Sequence, residues 1–262
     1  MQDMQRRNPR RRQSIYLLPN LFTTACLFSG FYAIVMAMNN QFAQASVAIF
    51  VAMVLDSLDG RVARLTNTTS DFGANYDSLA DMVSFGVAPA LIAYEWALQG
   101  MGKLGWLAAF IYVAGAALRL ARFNTNAGVV DKRFFQGLPS PAAAALVAGF
   151  IWLVTDLRET RLITHAVTDL VWLVWGLTVY AGVTMVSSVP FYSFKDVNLR
   201  RSVPFIFIAL GALVLVLISQ DPPSMLFLLV SAYGLSGYAV YLWQKSHGRD
   251  VVLFAESEKK DL

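Results

Sequence analysis

Asp56-Ser57-Leu58-Asp59-Gly60-Arg61-Val62-Ala63-Arg64, followed eight residues later by Gly73-Ala74-Asn75-Tyr76-Asp77-Ser78-Leu79-Ala80-Asp81, decides how this chain is read. The four carboxylates interrupt apolar sequence of membrane-spanning length. Asp56 ends the run Val47–Leu55, and Asp77 and Asp81 open another that reaches Trp96. An acid at the centre of a membrane helix costs about 2.5–3.5 kcal/mol on insertion scales, so four left unpaired at depth cost on the order of 10 kcal/mol. Something must compensate, and a divalent cation is the simplest candidate. Asp56 and Asp59 stand at i, i+3 and Asp77 and Asp81 at i, i+4, so each pair shares one helix face. The polar stretch Thr66–Ser70 reads as a turn, which would fold the two helices into an antiparallel hairpin and bring the pairs together. Four carboxylates suit hard, oxygen-preferring ions such as Mg²⁺ or Mn²⁺. One Cys and two His give no zinc set. Gly60, Ala63 and Gly73 offer small surfaces where a ligand or a second backbone can approach.

Outward from that stretch the chain reads as a polytopic membrane protein. Of its 262 residues, 56% are hydrophobic and 15% charged, with a mean hydropathy of +0.51. Soluble domains are about 45–50% apolar and about 25% charged. The expected fold is all-α: a transmembrane helical bundle of about eight spans, at residues 17–38, 43–65, 73–97, 104–123, 139–156, 168–189, 203–219 and 224–243. Each is near the ~20 residues that cross a bilayer. No polar stretch is long enough for a soluble domain, so 1–262 reads as one membrane domain with tails at 1–14 and 244–262. The first tail carries five arginines, Arg6, Arg7, Arg10, Arg11 and Arg12, and lacks a cleavage site. It reads as a topology signal lying on anionic lipid, and no nucleic-acid partner is expected. With both termini inside, all but three (Lys103, Arg158 and Arg161) of the 21 Lys and Arg residues fall on one side. The positive-inside rule then puts both termini and the four acids at the cytoplasmic face.

At this point the motif resembles the signature of the CDP-alcohol phosphotransferase family, on Asp56, Asp59, Gly60, Ala63, Arg64, Gly73, Asp77 and Asp81. The resemblance implies a membrane enzyme that displaces CMP from a CDP-linked lipid or alcohol at a site with two divalent ions. It implies Asp56, Asp59 and Asp77 as metal ligands and Asp81 as the base, also standing at the metals; spacing alone does not rank the four. It further implies CDP-diacylglycerol bound along Asn20, Thr23, Asp59, Gly60, Ala63, Arg64 and Gly73, a homodimer, and a bacterial-type inner membrane with the site facing the cytoplasm. Pro19-Asn20-Leu21-Phe22-Thr23 opens the first span, where Asn20 and Thr23 either cap the helix or bond the nucleotide.

Leu118-Arg119-Leu120-Ala121-Arg122-Phe123-Asn124, then Gly137-Leu138-Pro139-Ser140-Pro141 and Tyr192-Ser193-Phe194-Lys195, resemble the phosphatidylserine synthase branch of the family. That second likeness implies L-serine as the acceptor. A guanidinium can grip a carboxylate with two bonds. Arg119, Arg122, Arg133 and Lys195, with Lys132, are therefore the candidates for the serine carboxylate, with Arg122 and Arg133 the first choices. The diphosphate is the other anion that these cations can serve; the sequence leaves both open. Glycerol 3-phosphate or an inositol remains an alternative acceptor. A cation transporter is the alternative of another class, since intramembrane acids alone would fit it. Against it, the acids sit at one face, and no pair of interrupted helices is evident.

Overall fold

Each apolar stretch with few charges becomes a helix, because a chain in lipid must satisfy its own backbone hydrogen bonds. In the computed structural model, residues 9–66, 68, 70–125, 134–160, 167–192 and 205–246 are described. The helices are α1 (Pro9–Met38), α2 (Phe42–Thr66), α3 (Asp71–Asp81), α4 (Ala88–Trp96), α5 (Lys103–Thr125), α6 (Ser140–Glu159), α7 (Val167–Val186), α8 (Phe205–Gln220) and α9 (Pro222–Ser246). A π-helical turn, Met82–Val87, joins α3 to α4 without a break, so Asp71–Trp96 forms one rod. The eight expected ranges each fall on a helix or on this rod. Among the described residues, six helices are long and apolar enough to cross a membrane: Pro19–Met38, Phe42–Thr66, Lys103–Thr125, Ser140–Glu159, Asp169–Val186 and Pro222–Trp243. The α3–α4 rod carries its acids and its π-turn within the apolar stretch, and α8 has 16 residues.

Two features of the helices depart from the sequence reading. The first helix starts well before Pro19, which lies inside it. Arg and Gln are good helix formers, so the basic segment continues the helix past the apolar boundary. The hairpin of α2 and α3 is also not closely packed along its length. Both helices pack on α1, and the acids meet across the space between them.

The interior is built from small side chains. Ala33, Ala45, Ala52, Ala93, Ala144 and Ala181 are fully buried. Helices in lipid gain little from the hydrophobic effect, so close backbone approach and interhelical hydrogen bonds hold them. Ser29 Oγ of α1 donates to Ala48 O of α2 at 2.7 Å. At the α5–α7 crossing, a Cβ on Gly115 would run into the carbonyl of Gly182. Further along, α6 packs on α2 and α9, while α8 packs on α9.

A two-stranded antiparallel ribbon, which the all-α reading did not anticipate, closes one end of the bundle. Strand β1 (Phe134–Gln136) pairs with β2 (Pro190–Tyr192), Phe134 opposite Tyr192. Gly137 follows with φ +75°, and a Cβ there would strike the carbonyl of Met185. Its N–H donates to Val189 O at 2.9 Å, and that of Leu138 to Thr184 O at 3.1 Å. Only glycine takes this backbone at so little cost.

Candidate active site

Three elements build the acid cluster. The last turns of α2 carry Asp56 and Asp59, α3 carries Asp77 and Asp81, and α1 lies against both helices. Carboxylate oxygens of Asp56, Asp59 and Asp77 all lie within 4.8 Å of one another. Asp81 joins them through Asp56, its carboxyl within hydrogen-bonding reach of that residue's, and Asp59 and Asp77 form a second such pair. Thus both expected pairs converge. Asp59 is buried at 6% exposure, and Thr23 Oγ1 of α1 contacts its Oδ2 at 2.9 Å. The same hydroxyl also lies 3.2 Å from Pro19 O. Thr23 thereby fixes which way the Asp59 carboxylate faces. Carboxylates brought together this closely need an opposite charge among them. Three oxygens within coordination distance of one centre are the donor set a hard divalent cation takes. The residues fit a metal.

Beside the acids opens a cleft of about 280 Å³, lined among others by Asn20, Thr23, Asp59, Gly60, Arg64 and Gly73. Ala63 and Asp77 also border it, so every residue expected to hold the nucleotide lines this one space. Asn20 sits within α1, not at its start, so it is no N-cap; its own carbonyl accepts from Thr24 Oγ1 at 2.7 Å. A Cβ on Gly60 would meet nothing nearer than the Arg64 guanidinium at 3.6 Å. Gly60 therefore keeps the cleft open and is not needed for helix packing. On the opposite wall, Ser70 caps α3 by accepting from Gly73 N at 3.1 Å, leaving Gly73 3.7 Å from Asn20 Oδ1 once a Cβ is built on it. The sequence reading missed Ser70 and Thr68 as lining residues, although Ser70 ahead of Asp71 is an ordinary N-cap signal.

Arg119 lies near the end of α5. Its Nη1 donates to Ser140 Oγ at 2.8 Å, and Ser140 is fully buried. Arg119 interacts electrostatically with Asp81. Arg119 Nε and Asp81 Oδ1 are both buried with no hydrogen-bond partner among the described residues. Two opposite, incompletely satisfied groups bordering an acid cluster are the arrangement expected where a polar ligand inserts. Of the candidate cations among the described residues, Arg119 interacts with an acid of the cluster, whereas Arg122, a first choice from sequence, follows one turn later, half-buried. Lys132, Arg133 and Lys195 lie outside the described residues. Nothing in the sequence signalled that Ser140 of the Gly-Leu-Pro-Ser-Pro motif would be the partner of Arg119.

The sequence is similar to those of known proteins. Residues 16–185 match the model of the CDP-alcohol phosphatidyltransferase family. A Helicobacter pylori (strain J99) protein named CDP-diacylglycerol–serine O-phosphatidyltransferase is 43% identical over 184 residues, which is 70% of this chain and 75% of that protein. Proteins of the same name from Methanocaldococcus jannaschii and Saccharomyces cerevisiae are 46% identical over 108 residues and 42% over 141 residues, each match spanning 50% of the relative and 41% and 48% of this chain. The family is one of membrane transferases that depend on divalent metal, in keeping with the six apolar helices and the acid cluster. With its signature acids gathered at one cleft and the family model spanning α1 to α7, the chain belongs to the CDP-alcohol phosphatidyltransferase family.

Proposed function

We propose that this enzyme transfers the phosphatidyl group of CDP-diacylglycerol to L-serine, giving phosphatidylserine and CMP. The observation that carries the reading is the acid cluster opening on one side to a cleft floored by Gly60 and Gly73 and on the other to Arg119. The names of the relatives supply the acceptor. In the proposed reaction the serine hydroxyl oxygen forms a bond to the β-phosphorus. The bond from that phosphorus to the oxygen bridging it to the α-phosphate breaks, and CMP leaves with the electron pair. The hydroxyl proton passes to the Asp81 carboxylate, which must come within about 2.6–3.2 Å of that hydroxyl or one water away.

Asp56, Asp59 and Asp77, with Asp81 at the edge, would hold two Mg²⁺ or Mn²⁺ ions. Such ions neutralise a diphosphate and the charge that develops on phosphoryl and leaving groups during transfer. Thr23 keeps Asp59 oriented for that task. Asn20, Ala63 and Arg64 would line the nucleotide, the small residues letting it approach the backbone. Arg119, held by Ser140, is favoured over Arg122 for the serine carboxylate because it is buried and interacts electrostatically with Asp81. Arg133 and Lys195 stay as further candidates from sequence.

The charge count supports both termini and the cleft on the cytoplasmic side of the membrane; the family resemblance supports a bacterial-type inner membrane, and the lack of a long polar stretch supports 1–262 as one domain. The homodimer rests on the family resemblance alone. The test is CMP release from CDP-diacylglycerol by purified protein, with a panel of acceptors. Release that depends on L-serine supports the proposal; glycerol 3-phosphate or inositol outcompeting serine would leave the family and remove the acceptor.

A further inference from the structure

The π-turn between α3 and α4 has a consequence for Asp81, the residue immediately before it. Helical residues advance about 100° each. Counted that way, the buried side of α4 (Ala88, Pro89, Ala90, Ile92, Ala93 and Trp96) is centred about 90° away from the direction of Asp77 and Asp81. An uninterrupted α-helix would thus bury α4 only by swinging the acids off the cluster. One surplus residue removes about 100° of phase, and the π-turn Met82–Val87 supplies it: the Ala88 N–H reaches back five residues to Val83 O. The acids and the apolar face of α4 then look the same way.

This turn is held from two sides. Pro89 has no N–H to offer Phe85 O, the acceptor four residues before it. The fully buried Tyr112 of α5 fills that role, its hydroxyl donating to Phe85 O at 3.1 Å. From α1, Cys26 O accepts from Ser84 Oγ at 3.1 Å, and Gly30 leaves no room for a Cβ against Ser84. Gly86 sits against α5, where an added Cβ would lie 3.2 Å from that of Ala116.

We infer that Tyr112 is a positioning residue for the transfer reaction: by holding Phe85 O it keeps the π-turn that aims Asp81 at the acid cluster. This rests on the proposed role of Asp81 as base. The test uses the full-length protein purified in detergent, with kcat and both KM values read from CMP release. Tyr112→Phe should lower kcat roughly 10- to 100-fold, as small misplacements of a reacting group do, with both KM values within about threefold. The double variant Pro89→Ala/Tyr112→Phe restores an N–H for Phe85 O in the α-helical register. It should leave kcat low, because an ordinary α-turn rotates Asp81 away. A kcat for Tyr112→Phe within twofold of wild type, a loss confined to KM, or full recovery of kcat in the double variant would each overturn the inference. If Tyr112→Phe is not recovered folded, Ser84→Ala decides on the same readings. Asp81→Asn separates the two ideas. If it retains wild-type turnover, the base assignment fails and the inference with it; if it is inactive while Tyr112→Phe is fully active, the inference alone fails.

Discussion

The α3–α4 rod ends in a cleft at each extremity, and the larger one is not the one that holds the acids. At the Asp71 end lies the acid cleft of about 280 Å³; near Trp96 lies an opening of about 580 Å³, lined by Glu95, Trp96, Gln99, Leu104, Trp172 and neighbours. The second contains a single carboxylate, Glu95, among aromatic and small residues. Trp175 nearby donates its indole N–H to Leu104 O at 3.0 Å, and Trp172 and Trp106 are exposed, the pattern of a membrane–water interface. Volume therefore does not identify the functional end. What distinguishes the acid end is convergence: several like charges held together, a hydroxyl orienting one of them, and buried polar atoms lacking a partner among the described residues.

The largest effect that tests this contrast falls on the acids. Asp59→Asn, Asp56→Asn and Asp77→Asn should each lower turnover by roughly a hundred- to a thousandfold, the range seen when one group stabilising developing charge is removed. Chelation with EDTA should abolish activity, and Mg²⁺ or Mn²⁺ should restore it. Undiminished CMP release in chelator would show that the cluster is not a metal centre. Next comes the nucleotide wall. Gly60→Val should weaken CDP-diacylglycerol binding at least about tenfold, worth about 1.4 kcal/mol, as measured by calorimetry. Its melting temperature should hardly move, because only the flexible Arg64 end lies near the new side chain. Normal CDP binding in this variant would mean that the nucleotide does not approach the backbone at Gly60.

Smaller again is the acceptor wall. Arg119→Ala should raise the KM for L-serine about tenfold and leave that for CDP-diacylglycerol within twofold, the signature of a lost contact to one substrate. A rise only in the lipid KM would reassign Arg119 to the diphosphate. The smallest effect belongs to the distal cleft. Glu95→Gln should leave both kinetic constants within about twofold and stability within about 0.5 kcal/mol, as for surface changes generally. A tenfold loss there would make the two ends functionally coupled and undo the contrast.

The acids and the helical rods were legible because both follow from local arithmetic. Asp56/Asp59 and Asp77/Asp81 share faces by spacing, and apolar runs of bilayer length have few alternatives to a helix. The chain end of α1 was read too short because hydropathy marks where lipid begins and not where hydrogen bonding stops. The π-turn was invisible for a different reason: it exists through Tyr112, which is remote in sequence, and through Ser84 packing on α1. The ribbon of Phe134–Gln136 with Pro190–Tyr192 is too short to show a strand period. Arg119 was picked out as a cation at a helix end, but its burial and its bond to Ser140 depend on how α5 meets α6.

That ribbon also sets a timetable for the nascent chain. Every residue lining the acid cleft lies between Pro19 and Asp77, so the first three helices contain its whole lining while the remainder is still being synthesised, and Asp81 is aimed once Tyr112 of α5 has arrived. The Arg119–Ser140 contact waits for α6, and β1 stays unpaired until Pro190–Tyr192 leaves the ribosome, after two more helices have entered the bilayer. Such long-range closures are the slow steps of assembly, and chains generally organise their N-terminal parts first. A ribosome-stalled or truncated chain ending before β2 would carry a formed acid cleft on an unfinished opposite wall.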